Sequence, residues 1–552
     1  MKTATAAVTL EVMVLAAALA LVACATAQSD GLVVQTMSGP VEGFDAASGN
    51  FSAFLGIPYA SAGRWEKPED PDPWTEAFQA TEYGPICAQS LQVVGAGEEV
   101  MADQPWNYVL PPVWNQSEDC LSVNVYAPAN ATDVPVMVWI YGGGLIQGDG
   151  NGYSFAPDTL VGKDVVLVTF NYRLGPFGFG FAHPDLNETN FGLYDQIKAL
   201  EWVQANIEQF GGDPDNVTIF GESSGAASVA SLLVSPLTED LFHRAIIESM
   251  PLGLSSSMNV TIEEAAPTGV AFGVALGYSE DDPEQLQKMK EVSFQEVLNT
   301  AGLDEFSFGP GLGILVDGES MIMDAVTGFV EGENHKVPVI IGSNANEGGT
   351  YYLNPGSQVP VDIAGVSPAF SQYVPANTSE KYEGFVRQLF GSDADKVLSF
   401  YPADKPMESG QSMLTDSFYT VGAQIIAEAM ANRGEDVRMY HFTQKPGGPA
   451  AEIGAFHTTE LPYVGIASEH YTAPVVNPLL ADQMSKLNQK HIHGSLARIP
   501  SDKVHSSFSF VNFSFLFFPS LHCRLILDKL CQEGRPKRRG PSQVGEHARE
   551  CQ

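Results

Sequence analysis

The sequence around Ser223 constrains the fold more than any other part of the chain. A β-branched segment, Val217 to Phe220, runs into Gly221-Glu222-Ser223-Ser224-Gly225 and then into an alanine-rich segment. β-Branched residues favour a strand, and alanine favours a helix. The pattern therefore predicts a strand, a sharp turn and a helix, which is the arrangement called a nucleophile elbow. Such a turn holds the serine hydroxyl clear of the backbone at the end of the strand.

Apolar runs on both sides of this turn predict the rest of a sheet. Continuous apolar runs are typical of strands buried on both faces, and they occur at Val134 to Ile140 and Val165 to Phe170. Tyr194 to Phe210 carries apolar residues at helical spacing, and later runs at Val337 to Ile341 and Val437 to Phe442 extend the sheet. We predict an α/β fold with a large, mostly parallel central sheet flanked by helices. Residues from about 250 to 335 and 355 to 430 are expected to form helical or loop excursions over its C-terminal edge.

A serine hydroxyl becomes a nucleophile only when a base takes its proton, and a neutral imidazole does so near neutral pH. His457 lies on a glycine-bounded loop just after a predicted strand, whereas His441 lies inside that strand, so we predict His457 as the base. An ordinary histidine base predicts activity that rises with pH through about 6 to 7. Glu347 follows the strand at Val337 to Ile341 and is the predicted acid that orients the imidazole. The order Ser223, Glu347, His457 matches that of α/β-hydrolase triads.

Three consecutive glycines at the end of the Val134 to Ile140 strand are candidates for the oxyanion hole. Backbone N–H groups can approach a reacting oxygen where no side chain blocks them. Gly142, Gly143 and Gly144 can supply such N–H groups, and the N–H of Ser224, directly after the nucleophile, is a further predicted donor. A flexible turn at the strand end is the alternative interpretation of the glycines.

Taken together, these residues resemble the type-B carboxylesterase and cholinesterase family of α/β-hydrolases over roughly residues 30 to 485. Further matching segments are Phe54 to Tyr59, Glu118 to Val125, Tyr141 to Gly144, Asn171 to Gly178, Phe210 to Pro214 and Val316 to Gly318. The resemblance implies the α/β-hydrolase fold, acylation of Ser223, base catalysis by His457 and an acid role for Glu347. It also implies an oxyanion hole formed by the N–H groups of Gly143, Gly144 and Ser224. Trp106 and Trp114 are out of register with the family's choline-binding tryptophan, so cholinesterase activity is not implied.

The expected function is therefore that of a serine carboxylic-ester hydrolase that forms an acyl-enzyme intermediate. A lipase of the same family and a catalytically silent, cholinesterase-like adhesion protein are the alternatives. The expected partner is a small-molecule or lipid ester, with no cofactor and no metal. The formal net charge of −38 argues against binding to nucleic acid. It fits either a solvated acidic surface or a field that steers cationic substrates.

The two ends of the chain suggest export and an atypical tail. Residues 1–27 combine Lys2, an apolar stretch and a small-residue exit, which predicts a signal peptide and a secreted protein. Leu21 to Cys24 also matches a bacterial lipobox, which leaves a lipid-anchored form open. Sequons favour a secreted glycoprotein and occur at Asn50, Asn115, Asn130, Asn187, Asn216, Asn259, Asn377 and Asn512. No apolar run beyond residue 27 is long enough for an integral membrane span.

The predicted catalytic domain covers residues 28–485. Its only cysteines are Cys87 and Cys120, and we expect them to form a disulfide, which is also the first disulfide that the resemblance implies. Residues 486–552 follow no part of the family pattern, with six phenylalanines between Phe508 and Phe518 and a basic run at Arg535 to Arg539. We expect this tail to be disordered or the product of an unspliced or frame-shifted gene model. A divergent helix or an anchoring peptide is the alternative.

Overall fold

A computed structural model describes residues 32–89, 115–151, 157–252, 260–301, 313–352, 378–445 and 454–464. The predicted signal peptide at 1–27, including Cys24, and the tail at 486–552 lie outside the described residues. The predicted domain at 28–485 is described from 32 to 464 with internal gaps.

Strands make up the centre of the molecule. They are β1 Leu32–Gln35, β2 Pro40–Asp45, β3 Phe51–Pro58, β4 Phe78–Gln79, β5 Ile86–Cys87, β6 Gln116–Ser117, β7 Ser122–Pro128, β8 Val134–Ile140, β9 Val166–Phe170, β10 Gly212–Glu222, β11 Arg244–Glu248, β12 Val339–Asn344 and β13 Val437–Phe442.

Helices connect and cover these strands. They are α1 Pro157–Val161, α2 Gly175–Gly178, α3 Phe191–Asn206, α4 Ser224–Leu232, α5 Ile262–Ala275, α6 Gln285–Glu291, α7 Phe294–Ala301, α8 Ala325–Glu331, α9 Ser379–Phe390, α10 Ala394–Phe400, α11 Pro406–Leu414, α12 Val421–Asn432 and α13 Leu461–Val464. Short 3₁₀ turns occupy Ile207–Phe210, Pro236–Thr238, Glu347–Tyr352 and Gly391–Asp393, and a π-helical turn occupies Thr415–Thr420.

One large sheet contains eleven of the described strands. Its order is β1-β2-β3-β7-β9-β8-β10-β11-β12-β13, with β4 paired to β2. The strands from β9 to β13 in this order are parallel, whereas β1, β2, β3 and β7 pair antiparallel at the other end. The predicted mostly parallel central sheet with flanking helices is therefore confirmed. Because parallel strands end at the same edge, the loops after β8, β10, β12 and β13 meet there.

Burial on both faces explains why the apolar runs of the sequence form strands. Every residue of β9 is buried, as are the last five residues of β8, which is expected of strands covered on both faces. The crossover helix α3 is also buried along most of its length. Burial of each large apolar side chain contributes roughly 1.5–3 kcal/mol, so these layers supply much of the favourable free energy of folding.

The structure corrects some predicted boundaries. The strand predicted at Val337 to Ile341 begins instead at Val339 and continues through Ser343 and Asn344, because those polar residues pair in register with His441 and Phe442 of β13. Helix α3 starts at Phe191 and gives way at Ile207 to a 3₁₀ turn. Within the described ranges, no helix combines the length and apolar character needed to cross a membrane.

Candidate active site

Ser223 lies on a strained turn between β10 and α4. Its backbone angles are φ 57° and ψ −126°, a combination that costs a residue with a side chain on the order of 1–3 kcal/mol. The turn is held because the Ser223 N–H donates to the Glu248 carbonyl at 2.9 Å and the Ala227 N–H donates to the Ser223 carbonyl at 3.1 Å. The sheet and the helix thus fix this serine at the C-terminal edge of the strands.

Close packing explains the glycines two residues before and after Ser223. A Cβ on Gly225 would lie 2.1 Å from the carbonyl oxygen of Ile140, at the end of β8. A Cβ on Gly221 would lie 2.7 Å from that same oxygen and from the backbone of Gly225. Only glycine lets the strand, the helix and β8 approach this closely.

The predicted acid and base meet directly. His457 Nδ1 lies 2.7 Å from Glu347 Oε2. The other oxygen of Glu347 accepts the Asn344 N–H at 2.7 Å, and the carboxylate is fully buried. A buried carboxylate on Nδ1 leaves Nε2 as the nitrogen that can exchange protons with a substrate or nucleophile.

Two asparagines hold the His457 loop against the end of β12. The Asn344 side chain donates to the Phe456 carbonyl at 2.9 Å. Asn346 Oδ1 accepts the Ala455 N–H at 3.1 Å, and the Asn346 N–H donates to the Ala455 carbonyl at 2.8 Å. The loops that carry Glu347 and His457 are therefore joined through backbone and side-chain hydrogen bonds, which fixes the distance between acid and base.

The glycine loop after β8 lies beside the turn that carries Ser223. A Cβ on Gly142 would lie 3.0 Å from Ser223 Cβ, and the Leu145 N–H donates to Ser224 Oγ at 3.1 Å. Gly143 and Gly144 adopt φ values of 111° and 69°. Neither of their N–H groups donates a hydrogen bond within the described part of the chain. The first N–H groups of a helix lack intrahelical acceptors, and Ser224 is the first residue of α4.

Sequence reasoning missed three further buried carboxyl groups, of which Glu222 and Glu460 face His457 and Glu248 lies beside these two. Glu222 Oε1 lies 3.2 Å from His457 Nε2, and Glu222, Glu248 and Glu460 are all buried. Glu222 and Glu248 are register partners on β10 and β11. Glu460 accepts hydrogen bonds from the side chains of Asn344 and Ser249. Glu222 lies within the elbow motif and Glu460 lies three residues after the predicted base, so the sequence positions of both could have indicated a place in the site. Glu248 could not be found in this way, because only the fold brings it beside them.

These groups shift one another's protonation. Burial raises the pKa of Glu222 and of Glu248 well above the ordinary value, and it raises the pKa of Glu460 to about 7 with a further contribution from Glu347. Burial alone would lower the pKa of His457. The negative charges of Glu222 and Glu347, and the hydrogen bond to Glu347, outweigh burial and raise that pKa to about 9. The structure therefore predicts a higher pKa for this base than the ordinary histidine value expected from the sequence.

A disulfide supports the glycine loop from the other side. The sulfur atoms of Cys87 and Cys120 are bonded, with their Cα atoms 5.0 Å apart. Two residues after Cys87, the Gln89 side chain donates to the Gly148 carbonyl and accepts the Gly148 N–H, both at 2.9 Å. A Cβ on Gly148 would lie 2.7 Å from the Gly142 carbonyl oxygen. The disulfide segment thus packs through Gln89 and Gly148 onto the loop that holds Gly143 and Gly144.

Comparisons with known proteins identify the family of the chain. The sequence profile of the carboxylesterase family matches residues 30–484. The para-nitrobenzyl esterase of Bacillus subtilis is 35% identical over 78% of this chain and 82% of its own length. The fumonisin B1 esterase of Sphingopyxis macrogoltabida is 32% identical over 79% of this chain and 76% of its own length. A solved para-nitrobenzyl esterase structure superposes with a TM-score of 0.65 at 32% identity, covering 84% of this chain and 90% of the other.

Proposed function

The chain belongs to the carboxylesterase family of α/β-hydrolases and is a carboxylic ester hydrolase, and we propose that Ser223, His457 and Glu347 carry its reaction through an acyl-enzyme intermediate. The observation that carries this proposal is the 2.7 Å contact between His457 and the buried Glu347, beside the strained serine turn. Because the relatives are named as esterases, the adhesion alternative is set aside.

In the proposed first half-reaction, His457 Nε2 takes the proton of the Ser223 hydroxyl as its oxygen attacks the ester carbonyl carbon. The negative charge that develops on the carbonyl oxygen is stabilised by the N–H groups of Gly143, Gly144 and Ser224. The bond from the carbonyl carbon to the alcohol oxygen then breaks, and the alcohol leaves with the proton from His457. Ser223 is left acylated.

In the second half-reaction, His457 takes a proton from water, and the water oxygen attacks the acyl carbon. Collapse of this intermediate breaks the bond to Ser223, which regains a proton from His457, and the carboxylic acid is released. Glu347 accepts the hydrogen bond from His457 Nδ1 and stabilises the imidazolium that forms twice in each cycle. Both half-reactions use the same oxyanion donors, so a single geometry serves acylation and deacylation.

Two substitutions test this proposal. Ser223→Ala and His457→Ala should each lower kcat for nitrophenyl esters by at least about 10³-fold, since loss of a triad member removes several orders of magnitude. His441→Ala is the control, because His441 lies exposed on β13. Near-normal turnover by Ser223→Ala, or a folded but inactive His441→Ala protein, would refute the assignment.

Nitrophenyl esters of graded acyl length separate the two enzyme alternatives. Highest kcat/KM for short chains supports an esterase, whereas a preference for long chains supports a lipase. Para-nitrobenzyl esters belong in the panel because one relative is named for them.

We also propose that the protein is exported and glycosylated. Four of the sequon asparagines, Asn50, Asn115, Asn130 and Asn187, are exposed, which a glycan requires. Asn216 instead accepts a hydrogen bond from Arg244. Mass spectrometry of protein secreted from a eukaryotic host should find glycans on the exposed asparagines, and unmodified protein retained in the cell would contradict the proposal.

A further inference from the structure

Tyr419 contacts the face of the predicted base. The centroids of its ring and of the His457 imidazole are 4.7 Å apart, with the ring planes inclined by 43°. Tyr419 is 3% exposed, so the contact is enclosed rather than a surface encounter. An aromatic face within about 6 Å of a cation attracts it. The contact therefore favours the imidazolium form of His457 and limits rotation of the ring.

An irregular helical turn gives Tyr419 this position. The residues Thr415–Thr420 form a π-helical turn between α11 and α12. A π-helical turn contains an additional residue, and each residue of a regular helix rotates the following side chains by about 100°. A regular helix through this segment would point the side chain of residue 419 in a different direction. Turns of this kind persist where a function compensates their poorer geometry.

The π-helical turn is fixed to the loop that carries the acid. Thr415 Oγ1 accepts the Gly348 N–H at 2.9 Å, immediately after Glu347. Thr420 Oγ1 lies 3.2 Å from Ser343 Oγ on β12. The outer side of the turn is held by the Tyr401 hydroxyl, which donates to Asp416 at 2.5 Å. The same segment thus contacts the acid loop through Thr415 and the base through Tyr419.

We propose that Tyr419 is a positioning residue for catalysis, which holds the His457 ring between Glu347 and Ser223 and stabilises its protonated form. The described groups that face His457 include Glu222 at the end of β10, Glu347 after β12, Glu460 on its own loop and Tyr419 on the π-helical turn. Tyr419 is uncharged, so it acts without adding to the negative charge. This inference rests on the proposed role of His457 as the base.

Replacement of the ring tests the inference. Tyr419→Leu should lower kcat/KM by about tenfold, with most of the loss in kcat. It should also lower the kinetic pKa of the base by about one unit or more, the shift expected from losing an enclosed cation–π contact. Tyr419→Phe keeps the ring and should restore both values. The pH dependence of inactivation by an uncharged organophosphate measures that pKa in the free enzyme.

A matched truncation separates positioning from packing. Tyr126→Leu removes the same atoms from β7 in the antiparallel half of the sheet, where Tyr126 is buried against Phe51. It should lower the melting temperature and leave the kinetic pKa unchanged. An unchanged rate and pKa in Tyr419→Leu, or identical kinetic effects of the two truncations, would overturn the inference.

A variant that preserves packing keeps the test decisive if Tyr419→Leu does not fold. Pentafluorophenylalanine at position 419 keeps the ring's size but reverses the polarity of its face. We expect a lower pKa of the base than in Tyr419→Phe, and equal values would contradict the inference. If His457→Ala proves fully active, the proposed function fails. If His457→Ala is inactive and residue 419 has no effect, only this inference fails.

Discussion

At the scale of single residues, the site places several carboxyl groups around one histidine. His457 lies 2.7 Å from Glu347 and 3.2 Å from Glu222, with Glu460 contributing from the same loop. Both imidazole nitrogens face a carboxylate, which favours the protonated ring. Because the base must be neutral to accept the serine proton, this environment favours activity at alkaline pH.

The pH profile tests this consequence. With the pKa of His457 raised to about 9, kcat/KM should rise through pH 7 and 8, reach half its maximum near pH 9 and level off above about pH 10. Glu222→Gln removes one negative charge from Nε2, so the pKa should fall and the midpoint should move towards the ordinary value of about 6.5. The exposed Glu280→Gln is the control. A wild-type midpoint at 6 to 7, or one that Glu222→Gln leaves in place, would contradict the electrostatic account.

Ser223, His457 and Glu347 could be proposed from the sequence because each has a local pattern or a place in the chain order. The way in which the acidic side chains come together around them could not be predicted from the sequence. Glu222 and Glu248 are 26 residues apart in sequence, as their numbers show, and become neighbours only through the β10 and β11 register. Tyr419 reaches His457 through a π-helical turn, for which the sequence Thr415 to Thr420 carries no recognisable signal.

At the scale of elements, the loops at the C-terminal edge of the sheet depend on one another. The glycine loop is held between α4, through Leu145 and Ser224, and the disulfide segment, through Gln89 and Gly148. Removal of the Gln89 side chain would leave two backbone groups of Gly148 without their partner. A buried unpaired polar group costs about 1–3 kcal/mol, so the loop should relax to satisfy them.

Gln89→Ala should therefore affect both stability and rate. We expect a lower melting temperature and a fall in kcat of about tenfold with a smaller change in KM, because displaced oxyanion donors weaken binding of the transition state. Gln79→Ala changes an exposed glutamine on β4 and serves as the control. If kcat of Gln89→Ala equals that of the control, Gln89 does not support the oxyanion loop.

Most strands of the parallel half of the sheet were predictable, whereas β11 and the antiparallel strands were not. Strands β8, β9 and β13 appear as apolar runs because they are central or carry aromatic residues. Strand β1 alternates half-buried and exposed residues over only four positions, which is too short a pattern to recognise. Strand β11 begins with Arg244 and ends with a buried glutamate, so charge conceals it although its middle is apolar.

At the scale of the whole molecule, the acidic composition and the burial of a carboxyl group both make the stability of the fold depend on pH. The chain carries a formal net charge of −38, and Glu248 is buried with both carboxyl oxygens lacking hydrogen-bond partners among the described residues. Burial raises the pKa of Glu248 in the folded protein above its unfolded value. A group of this kind stabilises the fold below its unfolded pKa, and the stability is lost as pH rises towards the folded pKa.

The protein should accordingly be more stable near pH 5.5 than near pH 8.5. Glu248→Gln removes the ionisable group, so it should raise the melting temperature at pH 8.5 by about 2–4 °C and change it little at pH 5.5. The melting temperature of both proteins across this range, at one scan rate, checks the expectation. Equal pH dependence in the two proteins would show that Glu248 is not the group responsible.

The central claim is that Ser223 is the residue acylated during turnover, and covalent mapping tests it most directly. The full-length protein is titrated with a chromogenic organophosphate, and residual esterase activity is compared with the site and stoichiometry of the adduct by peptide mass spectrometry. We predict one adduct per chain, located on Ser223, with activity falling in proportion and reaching zero at one equivalent. An adduct on another residue that accompanies complete inactivation, or full activity in protein labelled at Ser223, would contradict the account.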